Sequence, residues 1–491
     1  MSSTVIQTAA GAVRGTSSDG VRRFLSVPYA APPLGANRFK VPQPVEPWTG
    51  ERDASVAGPC APHTIRDFPS IDVVPLVGRG SLEGGDYLTL NLWAPDDGAD
   101  LPVMVWIHGG GFVVGSKDAP VSDGTEFAKS GVVCIAINYR MGIDGFLPIP
   151  GVPTNLGLRD MLFALQWVQQ NVAAFGGDPS NVTVFGESAG AMAIADLLTS
   201  PLAKGLFQRA IIESGHGAMV RDIDVAQRLV QKLAKILKVA PTAEGFRSVS
   251  YEAGWKAMEK VSKPFARMDL RDAQGFEPVY GISRFIPVYG DDVLPKPPLE
   301  ALKEGAGREI DLLIGTNAAE MNLYFVPTKV RDRAPGFFLK WLLKKSHPNA
   351  KDALKAYGWG TGKAGHVFSD ATSDLVFRWP ARRFAEEHRG RTHVYEFDWH
   401  SPACKGQLGA SHAMELPFVF KTLGIASGPK GLVGENPPQG LADRIHNIWV
   451  GFARDGHLSW PEFDRANRNV HLLDADSTID EPPMRAAAFL P

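Results

Sequence analysis

From about residue 100 onward, short runs that are apolar at every position alternate with stretches whose apolar residues recur every three or four positions. Val103-Met104-Val105-Trp106-Ile107 is one such run, stopping at His108-Gly109-Gly110-Gly111, and Val132 to Asn138 is another. A strand with one wet face alternates apolar and polar side chains, so the loss of alternation predicts central strands covered on both faces. Leu158, Met161, Leu162, Leu165, Val168 and Val172 share one helical face, which predicts a helix from Leu158 to Phe175 ended by Gly176-Gly177-Asp178-Pro179. Val182 to Phe185 then reads as a strand and Ala191 to Leu198 as a helix, joined by Gly186-Glu187-Ser188-Ala189-Gly190. Ile310 to Ile314 and Val394 to Trp399 are further candidates for buried strands.

Alternating strand and helix patterns predict an α/β fold, a mostly parallel central sheet flanked by helices. The stretches 220–305 and 328–390 are less regular and are expected to be helical insertions that wall and roof the sheet. At 491 residues the length alone suggests two or three domains. No repeat, low-complexity tract or linker divides the chain, and large α/β folds grow by insertion, so residues 1–491 are expected to form one domain.

The turn at Gly186-x-Ser188-x-Gly190 carries the strongest chemical signal. A serine exposed on a sharp strand-to-helix turn needs small neighbours two residues to either side, so that strand and helix can pack closely. About eighty residues upstream, His108-Gly109-Gly110-Gly111-Phe112 follows a strand. Acyl transfer develops charge on an oxyanion, which needs fixed N–H donors. Gly110, Gly111 and Ala189 are the candidate donors, whereas His108 more naturally braces the loop. A serine hydroxyl also needs a base, and the base an acid to orient it. In chain order Ser, Asp/Glu, His, both His400 and His412 qualify as a loop histidine that follows a strand, and Glu320 and Asp374 both precede them.

Net charge at neutral pH is −2 and no Lys/Arg stripe appears beyond the local pair Lys344 and Lys345, which argues against a nucleic-acid partner. No run approaches the roughly 18 apolar residues of a membrane span, and the first residues lack a secretory pattern. No membrane partner and a cytoplasmic location are expected. Cys60, Cys134 and Cys404 are too few and too scattered for a disulfide framework or a zinc site. Glu386-Glu387-His388 reads as a solvated charged face of a helix rather than a metal site.

Taken together, Pro28-Tyr29-Ala30-Ala31-Pro32-Pro33, Arg38-Phe39, Leu90-Asn91-Leu92, Asn138-Tyr139-Arg140 and Phe175-Gly176-Gly177-Asp178-Pro179 leading to Gly186-Glu187-Ser188-Ala189-Gly190 carry a family likeness. From about Gly11 to about Phe463 the chain resembles the type-B carboxylesterase family, which includes the cholinesterases, and within it the bacterial para-nitrobenzyl esterases. The resemblance implies an α/β-hydrolase fold whose insertions form an active-site gorge, and a serine carboxylesterase acting on neutral short- to medium-chain esters. It implies a small-molecule ester as partner and no metal or organic cofactor. Residue by residue it places the nucleophile at Ser188, the acid at Glu320 in Gly315-Thr316-Asn317-Ala318-Ala319-Glu320, and the base at His412 in His412-Ala413-Met414-Glu415. His400 then becomes a structural or surface residue. Glu187 and Ser214 fall on polar positions near the site, and Phe112, Met192, Leu323, Tyr324 and Val376 on candidate walls. Three departures stand out. Met321 replaces the family's glycine after the acid. Tyr87 replaces the cysteine that would pair with Cys60, so Cys60 is expected to be free. Gly85 replaces the glutamate that would pair with Arg38, while Arg140 and Asp160 retain a family ion pair.

Overall fold

In a computed structural model, which describes residues 2–65, 68–278, 280 and 282–490, one long sheet runs through the molecule. Its first strands are antiparallel: Ser2–Gln7, Ala12–Ser18, Val21–Pro28 and Thr89–Pro95. Thr89–Pro95 then pairs antiparallel with Val133–Ile137. From there the sheet is parallel through Leu101–Ile107, Gly177–Glu187, Arg209–Glu213, Asp311–Asn317, Thr392–Phe397 and Asn469–Leu472. Ser477–Asp480 turns back antiparallel at the edge.

The apolar runs are central strands because both of their faces are covered. Val103, Val105 and Ile107 join one core with Leu158, Leu165 and Ile194, while Met104 and Trp106 join the other with Phe185 and Trp449. The helix expected from Leu158 to Phe175 spans Leu156–Asn171 and continues as a tighter turn over Val172–Phe175. Its buried stripe includes Leu158, Met161, Leu162, Leu165 and Val168.

The region 328–390 folds as helices around a third core that includes Leu339, Leu343, Leu354, Phe368, Leu375 and Trp379. Asp374–Arg378 forms a widened π turn between the helices Ala364–Ser373 and Trp379–Glu387. Glu386 and Glu387 are not a solvated face. Arg383, Arg465 and Arg468 pair with them, and His388 bonds the Thr392 hydroxyl at 2.7 Å. Arg38, deprived of its family partner, pairs instead with Asp144 at 2.9 Å. Arg140 and Asp160 keep their buried pair at 2.6 Å.

Candidate active site

Four adjacent strands, Leu101–Ile107, Gly177–Glu187, Arg209–Glu213 and Asp311–Asn317, end beside the candidate residues at one edge of the sheet. In open α/β sheets that C-terminal edge is where strand ends leave a crevice for a ligand. Ser188 follows Gly177–Glu187 and starts the helix Ala189–Thr199 at φ 55° and ψ −122°. A non-glycine residue held there stores on the order of 1–3 kcal/mol of strain. Packing imposes it: a Cβ on Gly186 would lie 2.6 Å from the Ile107 carbonyl oxygen, and one on Gly190 would run into the same oxygen. The adjacent strand therefore passes close beneath the turn, and Ser188 N–H donates to the Glu213 carbonyl at 2.9 Å.

Gly110 and Gly111 both have positive φ, 104° and 63°. A Cβ on Gly110 would collide with the Val114 carbonyl, so this loop needs glycine for room as well as for conformation. Among the described residues the N–H groups of Gly110 and Gly111 donate to no protein acceptor. His108 Nδ1 bonds the Gly109 carbonyl at 2.9 Å and its ring stacks on Tyr139 at 4.5 Å. Burial lowers its pKa to about 4, as suits a neutral brace.

Glu320 lies just past Asp311–Asn317 and is fully buried. Its Oε2 meets His412 Nδ1 at 2.6 Å. Its Oε1 accepts from the Ser214 hydroxyl at 2.7 Å and from Asn317 N–H at 2.8 Å. Asp374 is engaged elsewhere, by Tyr357 at 2.7 Å and Arg378 at 2.6 Å. His400 is exposed beside Asp398.

On the other side of the imidazole, His412 Nε2 lies 2.9 Å from Glu187 Oε1, but out of line for a hydrogen bond. Burial opposes charge on His412, yet the fields of Glu187, Tyr324 and Glu320 outweigh it and hold the ring well above its ordinary pKa. Tyr324 and Phe377 flank the ring at 5.6 and 4.6 Å, and burial pushes the Tyr324 phenol up to about 12. Ser188 is 7 % exposed and His412 3 %, so the reacting groups are recessed.

The wall candidates separate. Met192, Phe112 and Val376 belong to one core and Leu323 to the other. Tyr324 packs against both. Phe112 is buried against Phe146 at 4.5 Å, and Val376 offers its carbonyl to His216 at 2.6 Å. Met321, where the family has glycine, is buried, and its N–H donates to the Ser373 hydroxyl at 3.0 Å.

Sequence reasoning did not weigh Glu213 and Glu415, although the one directly precedes Ser214 and the other lies three residues after His412. Strand register sets Glu187, Glu213, Gly315 and Tyr395 in one row, and the Tyr395 ring occupies the space that a side chain at Gly315 would need. Glu213 accepts from Trp449 at 3.0 Å, and burial with Glu415 nearby raises its pKa well above the carboxylate range. Burial, then Glu187 and Glu320, push Glu415 up to about 8.

Recessed serine, buried histidine and mostly parallel sheet define a serine hydrolase of the α/β-hydrolase fold. A profile described as the carboxylesterase family matches residues 2–486, and the chain belongs to that family. It is 36 % identical to a para-nitrobenzyl esterase of Bacillus subtilis over 98 % of this chain and 97 % of that one. It is 34 % identical to a phenmedipham hydrolase of Pseudarthrobacter oxydans over 96 % and 95 %. Among solved structures, a para-nitrobenzyl esterase superposes with a TM-score of 0.84 at 33 % identity over 99 % of both chains. A Geobacillus stearothermophilus carboxylesterase gives 0.83 at 32 % over 99 % and 100 %. The chain is a serine carboxylesterase, and its substrate is a small-molecule ester.

Proposed function

We propose that residues 1–491 act as one catalytic domain that hydrolyses neutral esters of short to medium acyl chain through an acyl-enzyme. The observation carrying this is the 2.6 Å bond from His412 to a buried, doubly anchored Glu320. Ser188 Oγ attacks the ester carbonyl as His412 Nε2 takes its proton. Glu320 keeps the Nδ1–H tautomer and stabilises the imidazolium. Glu187, 2.9 Å from Nε2, adds a second carboxylate beside the charge that forms. Gly110, Gly111 and Ala189 donate to the oxyanion. The tetrahedral intermediate collapses, His412 protonates the departing alkoxide, and water repeats the sequence to free the acid and restore Ser188. Metal and organic cofactors take no part in these steps.

The substrate class rests on the wall chemistry. Met192, Phe112 and Val376 in one core, Leu323 in the other and the Tyr324 ring that packs against both are apolar. The test is a p-nitrophenyl ester series from acetate upward beside an emulsified long-chain triglyceride, with Ser188→Ala as the blank. Acetate or butyrate is expected to turn over best. Higher specific activity on the emulsion would overturn the substrate class, and an active Ser188→Ala the nucleophile.

A further inference from the structure

Beyond Glu320 and Tyr324 in the chain, the helix Gly336–Lys344 is apolar on two faces. Leu339 and Leu343, one turn apart, are buried in the third core. On the opposite face Phe337 is 80 % exposed and Trp341 38 %. Phe265, 71 % exposed, joins them from the segment after the helix Tyr251–Ser262. Phe265, Phe338 and Trp341 form a triangle of rings 5.6–5.8 Å apart and within about 32° of parallel. Lys345 ties the two segments together, its Nζ donating to the Pro264 carbonyl at 2.7 Å and lying 4.7 Å from the Trp341 ring. The platform is thus held in place before anything binds, and an exposed aromatic cluster of this kind calls for an occupant.

Charge around the rings selects it. Lys263, Arg267, Lys340 and Lys344 border the platform on the same two segments, and among the described residues none of them forms a salt bridge. Acids near the platform are already paired, Asp269 with Arg271, and Glu277, whose field reaches Lys345, with Arg284. A second copy docked through this face by a two-fold axis would set the basic border against itself. An anionic lipid surface fits instead. Phe and Trp rings enter the headgroup layer while lysine stems lie along it and their ammonium groups meet phosphates. We propose that this face docks the protein on anionic bilayers. Net charge and span length, the grounds for expecting no membrane partner, average over the chain or look for a crossing helix. A patch assembled from distant segments registers in neither.

Sedimentation of the whole chain with phosphatidylcholine vesicles, with and without phosphatidylserine, tests the proposal. The protein is expected to pellet with phosphatidylserine-containing vesicles only, and less as salt rises. Phe337→Glu with Trp341→Glu should abolish binding, and Lys340→Ala or Lys344→Ala should each weaken it about fivefold. Turnover of a soluble ester should stay at the wild-type value in every variant, and melting temperature should fall only where Trp341 is replaced, because its ring packs on Phe265 and Phe338. The proposal is overturned if the wild type stays in the supernatant with both vesicles, or if the aromatic variant binds undiminished. Lipid-free sedimentation equilibrium in which the same substitutions turn a dimer into monomers would assign the face to a second copy and overturn it as well.

Discussion

Replacing Glu320 by Gln changes one atom and should nearly silence the enzyme, for a reason visible in the hydrogen bonds around it. Oε1 accepts from Asn317 N–H and from the Ser214 hydroxyl, and Oε2 accepts from His412 Nδ1. A carboxylate satisfies all three donors. An amide must choose. The Ser214 hydroxyl can rotate, but the Asn317 N–H is fixed backbone, so the amide oxygen belongs at the Oε1 position. That turns the NH2 group toward Nδ1, which must then be the acceptor, leaving the proton on Nε2. A histidine with Nε2 protonated cannot take a proton from Ser188. The reverse orientation would bury two opposed donors, at a cost of about 1–3 kcal/mol, enough to make the wrong tautomer dominate. The negative charge beside the imidazolium is lost as well, and a comparable substitution in a serine protease triad lowers kcat about ten-thousand-fold. The assay is p-nitrophenyl acetate turnover with circular dichroism and melting curves for Glu320→Gln and Asp374→Asn side by side. Asp374 bonds Tyr357 and Arg378, so its variant should lose stability before activity. A folded Glu320→Gln keeping more than about a tenth of kcat would refute the tautomer argument. A folded but inactive Asp374→Asn would move the acid assignment.

Because His412 is held above its ordinary 6.5 and must be neutral to accept a proton, kcat/KM should fall as pH drops through an apparent pKa above that value. Glu187→Gln should move the midpoint down, and a midpoint below 6.5, or one unmoved by Glu187→Gln, contradicts the assigned fields. With Cys60, Cys134 and Cys404 all free, thiol titration under denaturing, non-reducing conditions should find three per chain, and finding one would reveal a disulfide. Asp160 accepts three bonds from Arg140 at 2.6–3.0 Å with both side chains buried. Asp160→Asn should cost about 3–5 kcal/mol in denaturant unfolding, and a loss under about 1 kcal/mol would mean that the pair is solvated.

Much of the sheet and part of the site could be read in the sequence because both rest on local rules. Uninterrupted apolar runs mark strands covered on both faces, and Leu101–Ile107, Val133–Ile137 and Asp311–Asn317 lie where those runs are. The turn at Ser188 was legible because crowding by the Ile107 carbonyl admits only glycine on either side. Periodicity and spacing left His400 and His412 open, and only the family resemblance chose between them, since which loop folds back over the sheet is not a local property. Glu386 and Glu387 misled for the same reason: the arginines that bury them arrive from residues 465 and 468 as well as from the same helix.

The sequence by itself determined the class of fold, the family and the placement of glycines where backbones must touch, because steric exclusion and side-chain period act over a few residues. Only the tertiary structure decided what lies between segments distant in the chain. It gave Arg38 a new partner in Asp144. It set Glu187, Glu213 and Tyr395 in one row through strand register, and it gathered Phe265 with Trp341 into a basic-rimmed face. It also brought Glu187 to one side of His412 and Glu320 to the other. Burial and through-space charge set the protonation of these groups, and both depend on which segments meet.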